Sequence, residues 1–261
     1  MVTFNPEAGP SAAPTTLTIG ILEAGRPPEE VSQYGQYTEM MQRFLEQSAR
    51  PGDFSFRCYA VLEGELPDTV TECDGWLITG SRHGVYDELP WIEPLMAFVR
   101  EVYAAQRPLL GICFGHQLIA KALGGDVRKS EKGWGVGLHD YQFNANVPKW
   151  MDISQLPQGR MTLNAFHQDQ VITPPAGATV LAGSPFCENA VLVYGDHALS
   201  FQGHPEFGTD YASALVQLRS PSVVPEALAS AALSRIQQSS SQHDGGQVAV
   251  WARQLFLGQG R

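Results

Sequence analysis

Residues 108–125 read PLLGICFGHQLIAKALGG. The first six are apolar and suit a buried strand, whereas Leu118, Ile119, Ala122 and Leu123 line one face of a helix that Gly124 and Gly125 stop. Cys113 stands at the seam, flanked at two residues' distance by Gly111 and Gly115. A sharp strand-to-helix turn strains the backbone of its central residue and crowds together the residues two before and two after it, so small residues are needed there. This is the cysteine counterpart of the G-x-S-x-G elbow, in the strand-then-helix context that such an elbow requires. A thiol at a helix N-terminus meets the positive end of the helix dipole, which favours the thiolate that attacks, and the backbone N–H of Phe114 is left free to bind an oxyanion. Without that context a free cysteine is ordinarily a small buried hydrophobe. Cys58, Cys73 and Cys187 are read that way.

Outward from the elbow, β-rich runs alternate with helical patterns through the first half. TLTIGILEAG (16–25), FSFRCYAV (54–61), GWLITG (75–80) and PLLGIC (108–113) read as strands. YGQYTEMMQRFLEQSA (34–49) and WIEPLMAFVREVYAA (91–105) read as helices, the first ended by Pro51-Gly52. This alternation predicts an α/β fold, an open and mostly parallel sheet flanked by helices. The second half holds short β-like runs separated by Gly, Pro and Asn, which predict antiparallel additions and returns to the main sheet. Helical patterns resume from about residue 209, and the polar stretch QQSSSQHDGGQ (237–247) precedes a last amphipathic helix, VAVWARQLFLG. In that helix Val248, Val250, Trp251, Leu255 and Phe256 are expected to pack back on the sheet, with a dimer surface as the alternative. Residues 1–14 read as a flexible tail rich in Pro, Ala and Thr, and 15–261 as one domain.

Composition narrows the function. Apolar residues make up 43% and charged residues 17%, and no apolar run approaches the roughly eighteen residues of a membrane span. A formal charge of −10 argues against a phosphate-backbone partner, so no nucleic acid and no membrane is expected. The start of the chain lacks the basic and apolar segments of a secretory signal, and cytoplasmic residence is the expectation. Four scattered cysteines without a C-x-x-C pair suit reduced thiols, and without an H-E-x-x-H or a Cys/His cluster no metal is expected.

A thiolate nucleophile needs an imidazole to carry its proton, and the imidazole needs an orienting acceptor. His204 is the best candidate of seven histidines, because ALSFQGHPEF ends a β-like run at His204-Pro205-Glu206. In an extended chain, side chains two apart point the same way. Pro205 favours that geometry at His204. His116 is read as a packed histidine or one standing behind the site, and His139 and His197 as solvated residues of polar turns.

In GICFGHQ (111–117) and GHPEF (203–207) the chain resembles the class I, triad-type glutamine amidotransferases, a similarity that spans roughly residues 15–215. Within the family it is most similar to free-standing guanylate-synthase-like amidotransferases and to the γ-glutamyl peptidases of plants. The resemblance implies a flavodoxin-like class I fold. It implies Cys113 as the nucleophile on the γ-carboxamide carbon of glutamine, His204 as general acid and base, and Glu206 as its orienting group. It also implies an oxyanion hole from the backbone at Phe114 and at Gly80-Ser81 in LITGSRHGVYD (77–87), where many relatives have two adjacent glycines. Gln117 matches the family's C-x-G-x-Q glutamine, and His167, Gln168 and Asp169 in FHQDQV (166–171) border the implied glutamyl site. No cofactor is implied.

Two functions share this chemistry. One is a subunit that passes ammonia from glutamine to a partner synthase; the other is a free-standing hydrolase of γ-glutamyl conjugates. The loop SRHGVYDELPW (81–91) is the expected determinant of the leaving group. A catalytically silent relative is the third reading, and an intact Cys113, His204 and Glu206 argues against it.

Overall fold

Four short apolar runs lie side by side as parallel strands in the structure, a computed structural model that describes residues 16–144, 147–238 and 243–258. They are β1 (Leu17–Leu22), β2 (Phe54–Tyr59), β3 (Gly75–Ile78) and β4 (Leu109–Ile112), joined through helices α1 (Tyr37–Glu46) and α2 (Ile92–Ala104). Helix α3 (Phe114–Ala122) follows β4 after the single residue Cys113. The tail expected at 1–14 lies outside the described residues.

The second half supplies β5 (Asp126–Lys129), β6 (Gly135–Phe143), β7 (Arg160–His167), β8 (Asp169–Thr173), β9 (Ala178–Gly183), β10 (Val191–Tyr194) and β11 (Ala198–Phe201). The main sheet has nine strands in the order β2-β1-β3-β4-β11-β10-β9-β6-β7. Strand β11 returns to lie parallel to β4, with Ala198 opposite Leu109 and Phe201 opposite Ile112. Beyond it the pairings are antiparallel. The expected fold class is the one observed, with one refinement: β5 and β8 leave the main sheet and form a separate two-stranded ribbon. This carries Asp169 and its neighbours over the carboxyl end of the parallel strands rather than into the sheet.

The parallel strands alternate strictly. Ile19, Ile21, Leu77, Leu110 and Ile112 pack on one face with Met41, Phe44 and Leu45 of α1, while Leu22, Trp76, Ile78 and Leu109 pack on the other with α2 and α3. Three C-terminal helices follow: α4 (Thr209–Arg219), α5 (Glu226–Gln238) and α6 (Gly245–Phe256). Val248, Trp251, Leu255 and Phe256 of α6 are buried on the first face, and Trp251 donates from Nε1 to the carbonyl of Asp152 at 3.0 Å. Val250 departs from the expected packing and is 40% exposed, because it falls on the outer side of that helix. Part of the polar stretch before α6, residues 239–242, lies outside the described residues.

One of the two histidines read as solvated turn residues departs from that reading, and the other keeps the turn but packs its ring. His139 lies within β6, its ring 5.2 Å from that of Phe186, and burial lowers its basicity. His197 sits in a turn with its ring 4.8 Å from that of Tyr103. Both are placed by long-range packing that local polarity does not announce.

Candidate active site

Loops from the carboxyl ends of β1, β3, β4 and β11 meet at one edge of the sheet, where ligands bind in open α/β folds. Cys113 adopts φ 52 and ψ −101, a left-handed conformation that costs a non-glycine residue roughly 1–3 kcal/mol. Its surroundings permit little else. A Cβ on Gly111 would lie 2.6 Å from the carbonyl oxygen of Gly115, and one on Gly115 would lie 2.5 Å from that of Ile78. The turn closes only because both positions lack side chains. Its N–H donates to Phe201 of β11 at 2.8 Å and its carbonyl accepts from Gln117 at 3.1 Å, which anchors the strained residue from both sides.

His204 follows β11 and is held by β7: its N–H donates to the carbonyl of Asn164 at 2.7 Å, and Asn164 Nδ2 donates to the carbonyl of Phe207 at 2.8 Å. The imidazole Nδ1 lies 2.7 Å from Glu206 Oε1, with both side chains nearly closed to solvent. Its ring stacks on Phe207 at 3.9 Å and 4°. Burial works against the imidazolium, but the Glu206 carboxylate and the Cys113 sulfur outweigh it together and push the His204 pKa up to about 10. Nδ1 facing a carboxylate carries the proton, which leaves Nε2 for the sulfur side.

The backbone of Phe114 and that of Gly80-Ser81, where an oxyanion hole is expected, both lie beside Cys113. The N–H of Phe114 opens α3, where a helix has no internal acceptor for it. A side chain at Gly80 would lie 3.0 Å from His204 Cε1 and 3.8 Å from Cys113 Cβ, so this loop arches directly over the pair. Thr79, fully buried, fixes it: its Oγ1 accepts from the N–H of Ala24 at 3.0 Å and donates to the carbonyl of Gly80 at 3.1 Å.

Gln117 does not stand free in the cavity. Its Nε2 donates to the carbonyl of Asp169 at 2.9 Å and to Gln202 Oε1 at 3.1 Å. Gln202, fully buried, then turns its own Nε2 toward Cys113 Sγ at 3.7 Å. The sequence reading missed Gln202 because a glutamine two residues before a histidine carries no chemical signal of its own. His116, also fully buried, lies behind the elbow with Nδ1 2.8 Å from Ser200 Oγ. Burial pushes its pKa down to about 3 and does the same to His167.

A cavity of about 740 Å³ opens over Cys113 and His204. Gln117, His167, Gln168 and Asp169 all line it, as do Arg82, His83 and Tyr86 of the loop expected to govern the leaving group. The Tyr86 hydroxyl lies 2.9 Å from both carboxylate oxygens of Asp169, which ties that loop to β8. Arg82, Lys129 and Arg219 also line the cavity, and none makes an ion pair among the described residues.

A strained cysteine on a strand-to-helix turn and a buried histidine–glutamate pair thus meet at the carboxyl edge of the parallel sheet of an α/β protein. The family is shown by comparison: the model described as glutamine amidotransferase class-I matches residues 36–215, and the chain belongs to the class I glutamine amidotransferase family. A glutamine amidotransferase-like protein of Schizosaccharomyces pombe is 31% identical over 231 residues, 83% of this chain and 90% of that protein. Gamma-glutamyl peptidase 2 of Arabidopsis thaliana is 32% identical over 154 residues, 58% of this chain and 62% of the peptidase, so the match spans less than two thirds of that relative. A glutamine amidotransferase from Thermotoga maritima has the same fold, with a TM-score of 0.69 at 20% identity, covering 94% of this chain and 97% of its own. Among the described residues no helix is long and apolar enough to cross a membrane.

Proposed function

We propose that this protein hydrolyses a γ-glutamyl amide through a cysteine thioester, with Cys113 as nucleophile, His204 as general acid and base, and Glu206 as the group that orients the imidazole. The observation that carries this reading is the pairing of a positive φ at Cys113 with the buried 2.7 Å contact between His204 and Glu206 at the floor of one cavity. The domain that acts is taken to span residues 15–261.

The chemistry follows from the positions. Cys113 gives its proton to His204, Sγ forms a bond to the γ-carboxamide carbon, and the carbonyl oxygen gains the electron pair. The N–H of Phe114, with the N–H of Ser81 beside Gly80, receives that oxyanion. The C–N bond breaks as His204 delivers its proton to the departing nitrogen, which leaves a glutamyl thioester. His204 then takes a proton from water, the water oxygen attacks the thioester, and the thiol departs with a free γ-carboxylate as product. Gln202 donates to the sulfur and limits its movement, and Gln117 holds Gln202 in the orientation that presents a donor. Asp169, Gln168 and His167 supply the polar side that meets the charged end of the glutamyl group.

With glutamine the departing group is ammonia, and a partner synthase would be its consumer. A second reading, hydrolysis of larger γ-glutamyl conjugates, is favoured by the size of the cavity. Volumes of roughly 300–1,000 Å³ take drug-sized ligands. At about 740 Å³ the space exceeds the needs of one amino acid.

The test is ammonia and amine release by the purified chain, with Cys113→Ala alongside, given glutamine and then γ-glutamyl dipeptides and amines. Cys113-dependent release is the expected result. Release that survives Cys113→Ala, or none from any γ-glutamyl compound, would remove the reading.

A further inference from the structure

The residues lining the cavity divide by chemistry and by element. Gln117 comes from α3, Lys129 from β5, Asp169 from β8, and Arg82 and Tyr86 from the loop after β3; these make a polar side. Tyr37 of α1, Leu215 of α4, Phe207 and Val223 make a mainly apolar one, with the guanidinium of Arg219 beside it and Trp134 and Phe166, whose rings lie 5.5 Å apart, at its flank. Tyr37, Phe207, Leu215 and Phe166 of this side pack together. Phe207 stacks edge to face on Tyr211 at 4.5 Å and lies 5.9 Å from the ring of Tyr37, and Leu215 and Phe166 belong to the same cluster.

Reaction geometry assigns each side a role. The departing nitrogen must take its proton from His204, so the amine part of the substrate leaves the reacting carbon on the imidazole's side. The side chains packed about that imidazole are the apolar ones: Phe207 lies against one face of the His204 ring, and the cluster continues outward from it past the ring edge. Val223, 40% exposed, extends the apolar surface to the cavity's lip. A surface of this kind does nothing for ammonia. It is suited to removing an aromatic or branched side chain from water, an effect that scales with the apolar area covered.

Resting on the γ-glutamyl hydrolase reading above, we propose that the leaving group is an amine carrying a bulky apolar, preferentially aromatic, side chain, so that the substrates are γ-glutamyl conjugates of such amines rather than glutamine. Hydrolysis is balanced by water alone: the γ-amide C–N bond breaks, the nitrogen receives the proton from His204, and the γ-carbon ends bonded to the water oxygen.

The experiment compares kcat/KM for γ-glutamylphenylalanine, γ-glutamylglycine and glutamine, with Cys113→Ala as the blank and Val223→Glu as the probe of the lip. The two dipeptides share their backbone and carboxylate and differ in the side chain placed on the apolar wall. The expected preference for phenylalanine over glycine is at least about tenfold, the scale on which a hydrophobic pocket discriminates. Val223→Glu should shrink that ratio several-fold, and because the ratio is taken within one protein it is insensitive to partial loss of folded material. Cys113-dependent turnover with no preference for phenylalanine, or a ratio unmoved by Val223→Glu, overturns the inference and leaves the hydrolase reading intact. Absence of turnover for every γ-glutamyl compound overturns both.

Discussion

His204 beside Cys113 and His116 behind it are both buried, yet they sit at opposite ends of the titration range. The His204 pKa is pushed up to about 10 and that of His116 down to about 3. Burial acts on both in the same direction, against the charged ring. The difference lies in the partners: His204 faces the Glu206 carboxylate and the Cys113 sulfur, whereas His116 meets only neutral groups, among them the Ser200 hydroxyl. One region of this small volume is built to hold a proton and the other to refuse it.

Removing the carboxylate is the strongest way to break this contrast. Glu206→Gln keeps the shape and removes the charge, so His204 should come to resemble His116, its pKa falling below 6.5 in an NMR titration of the ring. Turnover of a γ-glutamyl substrate should drop on the order of ten-thousand-fold, as when the orienting acid of a hydrolase triad is replaced by its amide. A ring that still titrates far above 6.5 would mean that the sulfur alone carries the shift.

The contrast also has a signature in stability, through linkage between folding and protonation. His116 and His167 bind protons near 6.5 when unfolded and only near about 3 when folded, so their contribution is present above 6.5 and is lost as pH falls toward 3. His204 runs the other way: its contribution is fully present below 6.5 and is lost as pH rises through about 10. Urea unfolding across pH 4–10 should therefore give a stability maximum near the neutral histidine range. His116→Gln should flatten the acid limb by on the order of a few kcal/mol or less. An acid limb unchanged in that variant would place its origin in the carboxylates instead.

The smallest expected effect concerns Gln202. Gln202→Met retains volume but removes the donor near Cys113 Sγ, and should lower both kcat and the rate of Cys113 alkylation at neutral pH by about tenfold, the scale of one hydrogen bond to a charged group. Loss of kcat without loss of alkylation would assign Gln202 to substrate placement rather than to the sulfur.

Much of this arrangement is legible in the chain because it is local. The strand, the elbow and the helix of residues 108–125 are contiguous, and the need for Gly111 and Gly115 arises within a single turn. His204 and Glu206 meet across one residue of extended backbone. Gln202 was not legible, since its contact with Cys113 crosses 89 positions and depends on β11 lying beside β4. The same holds for Thr79, which fixes the Gly80 loop through the N–H of Ala24, 55 positions away. His139 lies in a strand rather than a solvated turn, and the ring packing of both His139 and His197 was not legible, because a polar neighbourhood in sequence does not reveal which aromatic ring will pack against it.

The sequence by itself determined the alternating α/β order, the seam at Cys113 and the His204–Glu206 spacing, because backbone geometry and side-chain periodicity act over a few residues. Only the tertiary structure decided that β5 and β8 form a separate ribbon, that α1, α4 and Phe207 line one side of a cavity, and that a buried amide chain from Asp169 through Gln117 and Gln202 ends at the sulfur. Those features depend on which distant surfaces exclude water together, and that is settled by the packing of the whole chain.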